Sequence, residues 1–450
     1  MYYWIFSIIG ATLFFLITAS GKAARSSRWK GVQIVALMLL LALPISIVSR
    51  KFKRIALRMK MEAVSAITLE KEGGYVDVEK FLTLRSELKG PKRDKGVRNH
   101  LRLAEIRLLH PPLSEAFYKL VENPPQWMIE EIQKQLAHFK ANPPTSLNHM
   151  IEKFQKIPDW EDQLLLAKYK IKEGRLYVKD YSKNHNTLQY MNAALVRLVK
   201  AISLPDLEFV ISFHDSLDWI HLEAPIFVHC KREGNPYIIV IPDHEILTGY
   251  ETLDQKIDLA SEASPWEEKK DIAFWRGSTT SGDFSLPHWR SYPRSKLVFM
   301  ARESELIDAK FSLYVLGAES NPELLAEENL KGEFLYPEES LGYKYLIDVD
   351  GNASTYSRYY WILRSNCVPL KQMSTFQMWY FPALKPFVHY IPYAEDLSDL
   401  PQMVAWAKAH PKESRDIAEN GRQFVLNRLT TEHAYAYLYL LLKEYATLSE

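Results

Sequence analysis

Cysteine is almost missing from this chain: 450 residues hold two, Cys230 and Cys367, with no C-x-x-C spacing. That excludes a disulfide framework and a zinc knuckle, and it favours a reducing compartment. Net charge is also missing. Fifty-six basic residues face 55 acidic ones, for a formal charge of +1, so there is no global field of the kind nucleic-acid binders carry. No internal repeat or low-complexity tract occurs. The lysine and spacing of a phosphate-binding GxxxxGK[ST] loop are absent, and His214, His221 and His229 are spaced too widely for a short metal motif. What is present is ordinary for a folded protein, 47% hydrophobic and 25% charged, and long enough for two or three domains. Aromatic content is high at 12%, which suits carbohydrate stacking and a large core equally.

Two nearly charge-free runs, 2–20 and 31–49, have membrane-spanning length and predict N-terminal transmembrane helices. The basic cluster from Arg50 to Lys60 exceeds the one from Lys22 to Lys30, which puts the main domain on the cytoplasmic side. A simple hairpin would leave the smaller basic loop outside, against that rule, so the number of crossings stays open. The expected location is the inner membrane surface, with a cytoplasmic catalytic domain. Residues 61–139 read as charged helix broken by prolines, with an exposed basic loop at 89–98.

Beyond Pro143-Pro144 the pattern changes. Helical stretches alternate with compact apolar runs at 176–178, 207–213, 225–229 and 237–241. A second series occurs at 272–275, 311–316, 345–349, 367–370 and 387–391. Strands alternating with helices predict α/β layers with mainly parallel sheets, in two lobes joined near 254–270. Ligand then belongs in the crevice at the strands' carboxyl ends. Helical segments are expected at 399–409, 413–426 and 431–445.

Three constellations can carry chemistry. The stretch YKYLIDVDGNASTYSRYYWILRSNCVPL, 343–370, reads as strand, polar turn, helix, strand. Ser354 or Thr355 can cap the helix, and its N-terminus offers unpaired N–H groups to a phosphate. Arg358, in the first turn, can hold a second phosphate oxygen. This is the place expected to grip a nucleotide diphosphate. Second, 207–219 sets His214 and Asp215 where an apolar strand ends; a half-shielded carboxylate there can accept a proton from a hydroxyl, though an Asp in that position also serves as a simple turn cap. Third, 271–284 runs a strand into Arg276-Gly277-Ser278-Thr279-Thr280-Ser281-Gly282, a polar turn with donors for an anion or a sugar. Asp348 and Asp350 additionally form a D-x-D pair after a strand, as in metal-dependent glycosyltransferases.

Taken together, RGSTTS at 276–281, YKYLIDVDGNASTYSR at 343–358 and YFPALKPFVHYIPYAEDLSDL at 380–400 resemble glycosyltransferase family 90. That family holds the cap-associated and lipopolysaccharide-modifying proteins and the Rumi-type protein O-glucosyltransferases. DLEFVISFHD at 206–215 and KIKEGRLYVKDY at 170–181 are similar to further segments of it, and the likeness extends over about 150–445. The resemblance implies an inverting, GT-B-like α/β enzyme of two Rossmann-type lobes that uses a UDP-sugar without a metal or other cofactor. By motif, Asp215 matches the general base, Arg276, Gly277 and Ser278 the donor loop, Ser354 its small residue, and Arg358 the arginine that neutralises the diphosphate.

The chain lacks the cysteine set of the family's lumenal members, and ends in Leu448-Ser449-Glu450 instead of a retention tetrapeptide. Its sequon, Asn352-Ala353-Ser354, lies inside the phosphate turn. These departures favour a bacterial-type enzyme that moves a glucose- or xylose-type sugar onto a surface glycan, lipopolysaccharide core or a related lipid-linked saccharide. The expected organisation is a membrane anchor at 1–60, a charged helical region at 61–148, an acceptor-side lobe at 149–262, a nucleotide-sugar lobe at 263–426 and a C-terminal helix at 427–450. The partners expected are the UDP-sugar, the glycan acceptor and the membrane, with no nucleic acid. Two competing readings are a metal-dependent transferase using Asp348 and Asp350, and a non-catalytic membrane-anchored glycan-binding protein.

Overall fold

The computed structural model describes residues 75–82, 112–182 and 186–448. The chain divides into two compact units. The first, 1–76 with 83–90, lies almost wholly outside the described residues; the second is 77–82 with 91–450. The expectation of N-terminal transmembrane helices finds no support in the described residues. Among the described residues no helix is long and apolar enough to cross a membrane, and the runs 2–20 and 31–49 that carried the expectation lie outside them, as does the basic loop at 89–98.

The second unit contains two α/β sheets. The first is built on β1 (Leu166–Lys172), β2 (Arg175–Asp180), β3 (Leu207–Ser212) and β4 (Ile226–Val228), with β5 (Lys231–Arg232) outside it and β6 (Ile238–Val240) at its end. Their order is β2-β1-β3-β4-β6. Only β3, β4 and β6 run parallel; β1 is antiparallel to both neighbours. This sheet is therefore more mixed than alternation alone predicts. The cause is local. Glu173 and Gly174 both take positive φ, 52° and 72°, the pairing Lys172↔Arg175 leaves only those two residues in the loop, and such a turn folds a strand straight back on itself.

The second sheet is wholly parallel: β7 (Lys270–Ser278), β8 (Ile307–Leu313), β9 (Tyr343–Asp348), β10 (Val368–Met373) and β12 (Ile391–Ala394). Their spatial order, β12-β10-β9-β7-β8, makes it doubly wound, and the order reverses between β7 and β9. The loops leaving the carboxyl ends of those two strands flank the crevice in which such folds bind ligands. Trp275, Phe311, Tyr345, Ile347, Ile391 and Tyr393 fill its core.

Two strand expectations shift. The run at 311–316 proves to be the tail of β8, whose buried positions Ile307, Ala309 and Phe311 alternate with half-exposed Asp308 and Lys310. An edge strand with one wet face does not read as an apolar run. The run at 387–391 precedes β12; Phe387 sits at φ 57°, outside any strand.

The two sheets are held together at several points. β5 pairs antiparallel with β11 (Phe376–Gln377). Helix α1 (Gln126–Ala141) packs against β6, where Gln135 bonds both main-chain groups of Val240. Helix α2 (Glu251–Ala263) packs on α3 (Tyr356–Arg364), through Arg364 bonding Asp258 at 2.7 and 3.2 Å and Tyr360 bonding Asp254 at 3.0 Å. Finally α4 (Thr431–Ala446) returns to the first lobe, where Tyr437 takes a 2.5 Å bond from Gln135 and stacks on Trp127. Both cysteines are free and buried. Burial pushes the Cys230 thiol up to about 12, and raises Cys367 as well.

Candidate functional site

Three loops meet: 213–219 after β3, 278–283 after β7, and 349–355 between β9 and α3. The third is organised by its own buried polar groups. Asp348, fully buried at the end of β9, receives the hydroxyl of Thr355 and pairs with Lys371 of β10 at 3.5 Å. Its carbonyl takes the Tyr393 hydroxyl at 2.7 Å. Asp350 lies one turn residue on; burial raises its carboxyl to about 6, against the pull of Lys371. A Cβ at Gly351 would come within 2.7 Å of Thr280 Oγ1 and 2.9 Å of Arg294 Nη2, so any larger residue must displace one of those side chains. Ser354 is buried, and its hydroxyl has no hydrogen-bond partner among the described residues.

Two arginines converge under this turn. Arg294 is the second residue of the helix Pro293–Arg302, and Arg358 is in the first turn of α3. Arg294 reaches across both loops: Nη1 donates to Ser278 O at 3.0 Å, Nε to Asp350 O at 3.0 Å and Nη2 to Val349 O at 3.4 Å. Arg358 donates from Nη2 to the Arg276 carbonyl at 2.7 Å and lies 6.0 Å above the Trp275 ring. Among the described residues neither guanidinium has a carboxylate within 4 Å. Burial, and then the neighbouring Arg358 charge, bring Arg294 down to about 9; burial lowers Arg358 too. Asp348 and Asp350 act on Arg294, and Asp348 on Arg358, only from beyond ion-pair distance, so a bound anion would relieve the desolvation of both cations. The N-terminus of α3 adds its free N–H groups on the same side.

Arg276 is placed differently from its neighbours. Its side chain turns along β8, bonds Asp308 at 2.8 and 3.2 Å, approaches Glu333 at 3.5 Å and stacks on Phe274. Only its main-chain carbonyl meets Arg358. Gly277 packs on Trp275, whose ring a Cβ would strike at 2.3 Å. Ser278 contributes its carbonyl and hydroxyl to Arg294.

Asp215, from the first lobe, meets the turn from the second. Asn352 Nδ2 donates to its Oδ2 at 3.3 Å, and the Tyr356 phenol, raised first by burial and then by this carboxylate, bonds it as well. His214 is engaged locally, Nδ1 lying 2.6 Å from Ser216 O. The structure therefore brings together Asp215, Ser278, the 349–355 turn with Ser354, and Arg358, while the Arg276 guanidinium faces away toward Asp308. No cluster of three or more His, Cys, Asp or Glu suited to a metal occurs among the described residues.

A family model, Glycosyl transferase family 90, matches residues 127–450. The chain belongs to that family. Within family 90 it is similar to Protein O-glucosyltransferase 2 of Danio rerio, 28% identical over 337 residues, covering 71% of this chain and 62% of that protein. It is also similar to Protein O-glucosyltransferase 3 of Homo sapiens, 25% identical over 360 residues, covering 75% and 67%, and to Protein O-glucosyltransferase 1 of Rattus norvegicus, 29% identical over 262 residues, covering 54% and 63%. The chain thus spans about two thirds or less of these relatives' length. A crystal structure of Anabaena Alr3699/HepE in complex with UDP shares 9% identity at a TM-score of 0.32, over 59% of this chain and 68% of that one, a likeness too slight to argue from.

For this family 90 chain, sequence reasoning missed Arg294, Asn352 and Tyr356. Arg294 had left a signal. A cation in the first turn of a helix opposes the helix dipole, and Arg294 stands directly after the Pro293 that opens one.

Proposed function

We propose that this protein is an inverting glycosyltransferase that moves a glucose- or xylose-type sugar from a UDP-sugar to a hydroxyl. The observation that carries the reading is a pair of guanidinia, buried Arg294 and half-buried Arg358, with no carboxylate within 4 Å among the described residues, beside a helix N-terminus at the reversal point of a doubly wound sheet. A nucleoside diphosphate supplies the missing negative charge. Asp215 takes the proton of the acceptor hydroxyl as its oxygen bonds the anomeric carbon, worth typically ~10²–10⁴-fold. The bond from that carbon to the UDP oxygen breaks on the opposite face. The two arginines and the α3 N-terminus stabilise the charge that develops on departing UDP. Ser278 and Ser354 complete the donor loop, Gly277 lets the main chain lie close, and Arg276 braces the loop through Asp308.

The geometry favours this scheme over a metal held by Asp348 and Asp350, because Asp348 is already bound to the Lys371 ammonium. Activity in excess EDTA separates them: persistence is expected, and loss would favour the metal scheme. As acceptor we propose the hydroxyl of a surface glycan of the lipopolysaccharide-core type. A protein hydroxyl is the second reading, favoured by the relatives named protein O-glucosyltransferases. The deciding experiment measures UDP binding by calorimetry. Arg358→Ala and Arg294→Ala should each weaken it roughly 10–100-fold, the worth of one or two charge-assisted bonds. Unchanged affinity in both would overturn the proposal. Acceptor panels containing glycan and folded-protein hydroxyls then choose between the two acceptors.

A further inference from the structure

Asn352 occupies the exposed apex of the 349–355 turn and touches two other loops through one small amide. Ser281 N–H donates to its Oδ1 at 3.1 Å. A main-chain N–H can only donate, so this bond fixes which way the amide faces. The NH2 end must then point to Asp215, as it does, at 3.3 Å from Oδ2. Ser281 is itself anchored, its hydroxyl bonding Asp350 O at 3.3 Å, so the acceptor end of the amide is tied to the β7 loop. A second donor to Asp215, the Tyr356 phenol, opens the helix on the far side of the same turn. Its ring lies 6.4 Å from buried His229 of the first lobe.

We propose that Asn352 is a positioning residue for the base: from the opposite lobe, on the turn that receives the diphosphate, it orients the Asp215 carboxylate. The inference rests on Asp215 acting as base. An N–H donor to a carboxylate favours its ionised form and selects one orientation of its two oxygens. Only a lobe arrangement that brings the turn against 213–219 supplies that donor.

The test uses the full chain and UDP release from UDP-glucose with water as acceptor, measured against pH. Asn352→Asp keeps the oxygen that accepts from Ser281 but sets a carboxylate beside Asp215. Its acidic limb should move up by about one pH unit, with turnover recovering to within about threefold at higher pH. Asn352→Ala should lose roughly tenfold in kcat at every pH, with UDP affinity within about twofold of wild type. If the Asn352→Asp profile superimposes on wild type, or UDP affinity falls as far as turnover, Asn352 merely shapes the turn and the inference fails. Asp215→Asn is the control. An inactive Asp215→Asn with an unshifted Asn352→Asp overturns this inference alone; an active Asp215→Asn overturns the base assignment with it.

Discussion

Arg358 is half-buried and makes no ion pair among the described residues; its hydrogen bond there is to the main-chain carbonyl of Arg276, and Asp348 acts on its charge only at longer range. Arg358→Met should therefore leave the ligand-free Tm within a few degrees of wild type while cutting to about half or less the stabilisation that UDP at a hundred times the wild-type Kd gives wild type, about 2.7 kcal/mol. Differential scanning fluorimetry with and without UDP checks both halves. His229 gives a second expectation. Burial lowers its pKa from 6.5 to about 4, so as pH falls the unfolded chain takes up this proton first. The stability that the neutral ring contributes is full above 6.5 and is lost progressively between 6.5 and 4, on the order of 3 kcal/mol. Urea titrations should show a slope over that window that is shallower in His229→Phe. A variant slope equal to wild type would exclude His229 as its source. At this scale the sequence was partly readable. Asp215, Ser354 and Arg358 stand in local patterns whose chemistry derives from strand ends and helix starts. The destination of the Arg276 side chain did not, because Asp308, its partner, lies on a neighbouring strand 32 positions away.

Among the elements, the strand-turn-helix of β9 and α3 decides the site. The helix Tyr356–Arg364 and its preceding turn were legible from Gly351 and the aromatic face, whereas the register of β8 was hidden by its wet edge; the expected hydroxyl cap does not form, since Thr355 at the N-cap position turns its hydroxyl to Asp348. The turn's tightness makes a sharp prediction. Gly351→Ala would push on Thr280 and Arg294, displacing the 349–355 turn from the β7 loop. UDP affinity should fall about tenfold or more, the loss of at least one charge-assisted bond, while the far-UV spectrum stays that of wild type. Calorimetry and circular dichroism on one preparation test this directly. No sequence pattern announced the constraint, since the atoms that fill the space come from 280 and 294.

For the whole molecule, α4 is the piece that ends on the opposite lobe from the sheet it succeeds. Tyr437 is fully buried there, stacks on Trp127 at 6.2 Å and lies against Trp379 at 5.2 Å. Tyr437→Ala should cost roughly 3–5 kcal/mol, the usual toll of emptying a large aromatic site, and should lower the unfolding midpoint of both lobes together. Separate transitions for the lobes would show that α4 does not couple them. The two-lobe layout was legible because each lobe repeats its own strand-helix rhythm; the return of α4 was not, because an amphipathic helix does not say which surface it will cover. The membrane-spanning reading fared differently: no helix among the described residues supports it.

The sealed sulfur atoms have a practical corollary. Cys230 and Cys367 are the chain's whole complement, and inside the fold both are screened from solvent and held as unreactive thiols. Wild type is thus already a silent background for maleimide chemistry under native conditions. One cysteine introduced at exposed Trp219 and another at exposed Tyr336 would take a fluorophore pair with no prior mutagenesis, giving a ruler for how the lobes respond when nucleotide arrives.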